Sequence, residues 1–213
     1  LGLYPGYGYK GIPARRIPLQ VRRTDMEKSL ICAGFGGQGV MVAGQLLCYT
    51  ACETTDKFVT FFPSYGAEMR GGTANCYVVI SDRPIGAAKL KRVEYMMVFN
   101  DPSMEKFIND VTPGGVLFVN SSMVTIKPNR DDIKVVNVEA SAIATELGNP
   151  KCLNLVMVGA FIGYTGLLPE ENVLQTTFKK LGGKHPEMNP LNEAAYRRGL
   201  EVGKAALAKE SGN

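Results

Sequence analysis

Apolar residues fall in short, dense blocks along most of this chain, divided by polar or glycine-rich breaks. The blocks SLICA (29–33), FVTFF (58–62), ANCYVVIS (74–81), VEYMMVFN (93–100), GGVLFVN (114–120) and KVVNV (134–138) are nearly continuous. Runs of that length and character are expected of strands buried on both faces. Between the first two, residues 40–52 read as a helix. Asn100 or Asp101 ahead of Pro102 reads as another helix start, because proline fits a first helical turn. Beyond residue 138 the pattern is helical: 140–147, 153–165, 170–181 and 189–209, the last opening on Asn-Pro as cap and first turn. This succession predicts an α/β, Rossmann-like fold, a mostly parallel sheet with helices on both faces and a helical C-terminal part.

Residues 1–25 break the pattern. Glycine and proline recur at short intervals there and no apolar period is visible. The segment reads as an extended arm, or as sequence placed ahead of a natural start at Met26, with a single domain over 26–213. It also distorts the charge. The whole chain carries +4, but residues 1–25 hold five basic side chains against Asp25, leaving 19 basic and 19 acidic groups to the rest. A neutral domain does not point to nucleic acid. The longest apolar stretch, 153–168, is broken by Asn154 and several glycines and is too short to span a bilayer. It reads as a buried helix, and a cytoplasmic protein is expected.

The five cysteines, Cys32, Cys48, Cys52, Cys76 and Cys152, form no C-x-x-C pair. They read as buried or half-buried thiols rather than cluster ligands. His185, the single histidine, stands in a GGKHPE loop, and no nucleophile, base and orienting group can be assembled around it.

Two glycine-rich loops carry the candidate chemistry. Gly34, Gly36 and Gly39 make a G-x-G-x-x-G between the first strand and the first helix, with Gly37 and Gln38 inside it. Backbone amides at a helix start attract anions, so the loop can cradle a phosphate; equally, the glycines can serve tight packing alone. A dinucleotide site wants an acid after the second strand, whereas Glu53 and Asp56 precede it. No G-K-[ST] is present, which excludes a P-loop. The second loop, PSYGAEMRGGT, follows the second strand directly. Tyr65, Gly66, Glu68, Arg70, Gly71 and Gly72 lie in it. If the first two strands are parallel, it emerges on the same sheet edge as Gly34–Gly39. Arg70 can there hold a carboxylate or phosphate, or Glu68 and Arg70 can simply pair within the loop.

The order GFGGQGV, then PSYGAEMRGGTANC, then VFNDPSMEKF and PGGVLFVNSS resembles the gamma subunit, or fused gamma domain, of 2-oxoacid:ferredoxin oxidoreductases. The resemblance runs from about residue 26 to about residue 203. The wording is most similar to the 2-oxoglutarate branch, with branched-chain and pyruvate enzymes as alternatives. It implies a complex that oxidatively decarboxylates a 2-oxoacid to an acyl-CoA and reduces ferredoxin. It implies thiamine diphosphate, magnesium and iron–sulfur clusters on catalytic alpha and beta subunits or a small ferredoxin-like subunit, and coenzyme A (CoA) as substrate. This chain would supply assembly and anion contacts, with Gly34, Gly36, Gly37, Gln38, Gly39 and Arg70 near the CoA phosphates and Tyr65–Gly72 closing the site. It would be inactive alone. A free-standing NAD(P)-binding reductase and a non-catalytic scaffold are the readings of other classes.

Overall fold

The computed structural model describes residues 26–65, 73–183 and 185–212. The expected arm over 1–25 lies outside them, as do Gly66, Glu68, Arg70, Gly71, Gly72 and the side chain of Tyr65. Six strands, β1 (Glu27–Phe35), β2 (Phe58–Tyr65), β3 (Thr73–Ser81), β4 (Val93–Val98), β5 (Val111–Asn120) and β6 (Lys134–Val138), form one sheet in the order β2-β3-β1-β4-β5-β6. The strands β1, β4, β5 and β6 are parallel, while β3 is antiparallel to both β1 and β2. β2 therefore points the same way as β1. The reversal at β3 has a simple cause. Parallel neighbours need a crossover of about a dozen residues or more, and only residues 66–72 lie between β2 and β3.

The helices α1 (Val40–Thr54), α3 (Ala140–Glu146), α4 (Leu153–Thr165), α5 (Glu170–Lys180) and α6 (Asn189–Ser211) share one core with Leu30, Cys32, Val78, Met97 and Phe118 from one face of the sheet. The other face meets α2 (Asp101–Phe107), through Met104 and Phe107, and the segment after β5, through Val124 and Ile133. Helices do cover both faces, but unequally. The β5–β6 connection crosses without a helix, pinned where Asp101 accepts from the amides of Thr125 and Ile126, and where Arg130 donates to the Ile108 and Val111 carbonyls.

The stretch 153–165 is α4, buried nearly all round, with Phe161 edge-on to Tyr95 and Phe118. It lies backbone to backbone against α6. A Cβ on Gly159 or Gly163 would overlap the carbonyl oxygens of Tyr196 and Leu200, and one on Gly199 or Gly203 those of Val156 and Ala160. Four glycines at i, i+4 on two helices thus let the backbones of α4 and α6 meet. The expected caps are partly corrected. Asn100 does cap α2, its side chain accepting from the Ser103 amide. Asn189 does not cap α6: Met188 holds the cap position, and Asn189 lies inside the first turn.

Candidate functional site

The parallel strands end on one edge, and the strand order diverges between β1 and β4: the chain leaves β1 toward β2 on one side and β4 toward β5 on the other. Such a divergence opens the crevice where α/β sheets bind ligands. The loop from Phe35 to Gly39 sits there, and its glycines have different reasons to be glycine. A Cβ on Gly34 would come within 2.7 Å of Gln38 Oε1 and 2.9 Å of Phe99 Cβ. Gly39 adopts φ +75°, caps α1 in the left-handed region, and is pressed by the Asn154 side chain. Gly37 has φ +95° with open space around it. Gly36 has neither constraint, and both Gly36 and Gly37 are exposed.

Gln38 turns inward, into the crevice itself. Its Oε1 accepts from the Phe35 amide at 2.7 Å and from Asn100 Nδ2 at 2.8 Å, and its Nε2 lies 3.4 Å from the Phe99 carbonyl. The side chain thus staples the β1 loop to the end of β4. What remains outward-facing is the Gly36–Gly37 tip and the start of α1, where no side chain caps the helix and no acid stands in the first turn. Unpaired backbone amides at a helix start are a setting that favours negative charge.

The second loop is anchored beside it. Tyr65 pairs with Ala74, and Thr73 pairs with Phe35, so β2 ends and β3 begins at the sheet edge that carries the first loop. Lys106, near the end of α2, donates to Thr73 Oγ1 at 3.1 Å, bringing a cation to the same corner. Sequence reasoning missed Lys106 and Asn100 as site residues; the signal available was their place in NDPSMEKF, directly after a strand that ends on this edge. Asp101, on the far side of the crevice, accepts from Thr125 Oγ1 at 2.7 Å and from the Thr125 and Ile126 amides. That hydroxyl, with the amides, holds its carboxyl below the usual range.

The acids weighed against a nicotinamide ribose are elsewhere. Glu53 lies at the opposite end of α1, paired with Lys179 and Lys180. His185 is exposed and meets Glu187 at 3.1 Å. Among the described residues no three His, Cys, Asp or Glu groups converge to hold a metal ion, and no helix is long and apolar enough to cross a membrane. Cys32, Cys48, Cys76 and Cys152 are buried as expected, whereas Cys52 is exposed.

The sequence matches the pyruvate ferredoxin/flavodoxin oxidoreductase family over residues 29–202. It is 32% identical over 185 residues to the 2-oxoglutarate synthase subunit KorC of Methanocaldococcus jannaschii, covering 86% of this chain and 97% of that protein. It is 35% identical over 137 residues to the ketoisovalerate oxidoreductase subunit VorA of Methanothermobacter marburgensis, covering 63% of this chain but 28% of that relative. The keto/oxoacid ferredoxin oxidoreductase gamma subunit of Geobacter sulfurreducens PCA superposes with a TM-score of 0.76 at 25% identity, over 85% of this chain and 98% of that one.

Proposed function

The chain belongs to the pyruvate ferredoxin/flavodoxin oxidoreductase family, as a gamma subunit of a 2-oxoacid:ferredoxin oxidoreductase, and from that premise we propose that it serves a 2-oxoglutarate enzyme. The near-complete overlap with a KorC subunit supports that branch. The ketoisovalerate relative makes a branched-chain 2-oxoacid the second reading, since its identity is higher over a shorter stretch.

In this reading the chain performs no bond chemistry itself. Thiamine diphosphate, with magnesium, supplies the decarboxylation when bound on the catalytic subunits, and iron–sulfur clusters there pass the electrons to ferredoxin. The gamma subunit docks its glycine-loop edge against those subunits. The exposed amides of Gly36 and Gly37, with Lys106, meet an anionic group, and the phosphates of coenzyme A fit that chemistry. Gln38 and Asn100 hold the cradle in place. Arg70 adds a further cation and Glu68 a partner contact from the adjacent loop. The observation that carries the proposal is the pairing of Thr73 with Phe35, which brings the described end of the second loop to the strand end that leads into Gly36 and Gly37.

The test is a native pull-down followed by a CoA-dependent, 2-oxoacid-dependent reduction of ferredoxin or a viologen. Co-elution of thiamine and iron–sulfur subunits, with 2-oxoglutarate the preferred substrate, supports both parts. Preference for a branched-chain 2-oxoacid overturns the branch and leaves the subunit role. A chain that elutes alone and binds NADH overturns the subunit role. Glycine-loop variants that lose assembly with normal CoA kinetics favour a scaffold without a CoA contact.

A further inference from the structure

We infer that Cys32 and Cys76 form a reversible dithiol–disulfide pair that controls how firmly α1 seats beneath the glycine loop. The two cysteines occupy directly opposed positions on β1 and β3. Both are fully buried, on the face covered by α1. Opposed side chains on antiparallel strands hold their Cβ atoms about 4.5–5.5 Å apart, and a disulfide needs about 3.5–4.5 Å. A bridge therefore requires a shift of about an ångström, and the resulting strain keeps it reducible.

The pair is wired to the glycine loop through α1. The Cys76 thiol donates to the carbonyl oxygen of Val40, the first residue of that helix, at 3.6 Å. Gly44, one turn on, lies so close that a Cβ there would sit 2.5 Å from Cys76 Sγ. Oxidation removes the thiol donor and draws the sulfur toward β1, so the first turns of α1 lose a partner and a packing contact together. In the closed fold the Cys32 thiol is quiet: the neighbouring Cys76 thiol and burial push it well up. The exchange thus proceeds through local opening of the β1–β3 region. It is independent of what the glycine loop binds.

The oxidant class is a low-molecular-weight disulfide. One protein thiolate attacks a sulfur of glutathione disulfide, forming a mixed disulfide and releasing a glutathione thiolate. The second protein thiolate attacks the protein sulfur of that mixed disulfide and expels the other glutathione. Two electrons pass from the protein sulfurs to the glutathione pair, and the two thiol protons end on the released glutathiones.

The test equilibrates the full chain in glutathione buffers from reducing to oxidising, traps free thiols by acid quench and alkylation, and maps non-reduced peptides. Amide exchange is measured over residues 36–44 in both states. The expected result is a bridge between the Cys32 and Cys76 peptides that vanishes on reduction, with exchange over 36–44 several-fold faster when oxidised. Cys52→Ser, a surface change, leaves both effects in place, and Cys32→Ala removes both. Alkylation of Cys32 and Cys76 across the whole range overturns the inference. So does a bridge that requires Cys52, or a Cys32–Cys76 bridge that leaves exchange over 36–44 unchanged.

Discussion

Asn100 Nδ2 donates to Gln38 Oε1 at 2.8 Å, joining the loop after β1 to the cap of α2 across the crevice between β1 and β4. The same oxygen accepts from the Phe35 amide. Gln38→Ala leaves both donors without this partner in a part-buried setting, a loss of about 1–3 kcal/mol. Gln38→Glu keeps the acceptor, loses the weaker bond to the Phe99 carbonyl, and puts a negative charge beneath Gly36 and Gly37. Urea unfolding should show the alanine variant clearly destabilised and the glutamate variant much less so. In the assembled enzyme the glutamate variant should nonetheless raise the apparent KM for CoA. Equal KM values for wild type and Gln38→Glu would remove the anion from the proposal.

Gly199 faces the carbonyl of Val156 so closely that a methyl group there must push α4 and α6 apart. Gly199→Ala should cost about 1–3 kcal/mol or more, the range for overpacking a tight core. Gly86→Ala is the control. A Cβ there meets nothing within 4 Å and its φ is not positive, so it should be neutral or gain a few tenths of a kcal/mol by restricting the unfolded chain. Denaturant midpoints of the two variants, compared with wild type, check the prediction.

Much of this architecture was legible in the sequence. The apolar blocks marked all six strands, because a sheet covered on both faces leaves no polar alternation to mislead. The antiparallel turn at β3 was present as the missing helix between FVTFF and ANCYVVIS, a length signal rather than a residue signal. The GxxxG pairing of α4 and α6 was not read, since Gly159, Gly163, Gly199 and Gly203 acquire meaning only when the two helices face each other. Asn189 illustrates the converse. Asn-Pro is a sound local start, yet a short 3-10 turn over Pro186–Met188 feeds directly into α6 and moves the boundary back. At the site, the glycine motif is visible in the sequence, but the inward hydrogen bonds of Gln38 are not. They depend on Phe99 and Asn100, some sixty residues away in sequence.

Asp101 predicts a pH dependence. Hydrogen bonds from the Thr125 hydroxyl and from the Ile126 and Thr125 amides hold its folded pKa below 3.8. A depressed folded pKa stabilises the protein above the unfolded value and loses that contribution as pH falls through the folded value. Asp101→Asn should therefore be less stable than wild type near neutrality, with the difference shrinking below about pH 4. Urea unfolding at a series of pH values tests this; a difference that grows on acidification contradicts the assignment.

Lys106 reaches Thr73 Oγ1 from α2, at the start of β3. Its side chain is exposed, so Lys106→Ala should change stability by no more than about 0.5 kcal/mol. If the cradle takes CoA phosphates, the variant should raise the KM for CoA several-fold and flatten its dependence on salt, since a screened attraction has been removed. The informative measurement is KM for CoA at two ionic strengths. A KM equal to wild type at both would leave Lys106 as a support for Thr73 alone.

Gly36 separates folding from function most cleanly. A Cβ at this position meets nothing within 4 Å, and its φ is not positive, unlike those of Gly37 and Gly39. Gly36→Ala should therefore fold with stability within about 0.5 kcal/mol of wild type. The methyl group would stand on the exposed tip of the loop, where an approaching phosphate or subunit backbone must come close to the amides. The expected phenotype is an intact chain with a higher KM for CoA or a weaker hold on the catalytic subunits. Co-purification yield reads the second and steady-state kinetics the first. Wild-type values in both would mean that the outward glycines serve neither partner nor anion, and that the loop's shape serves only to let Gln38 fold back against Asn100.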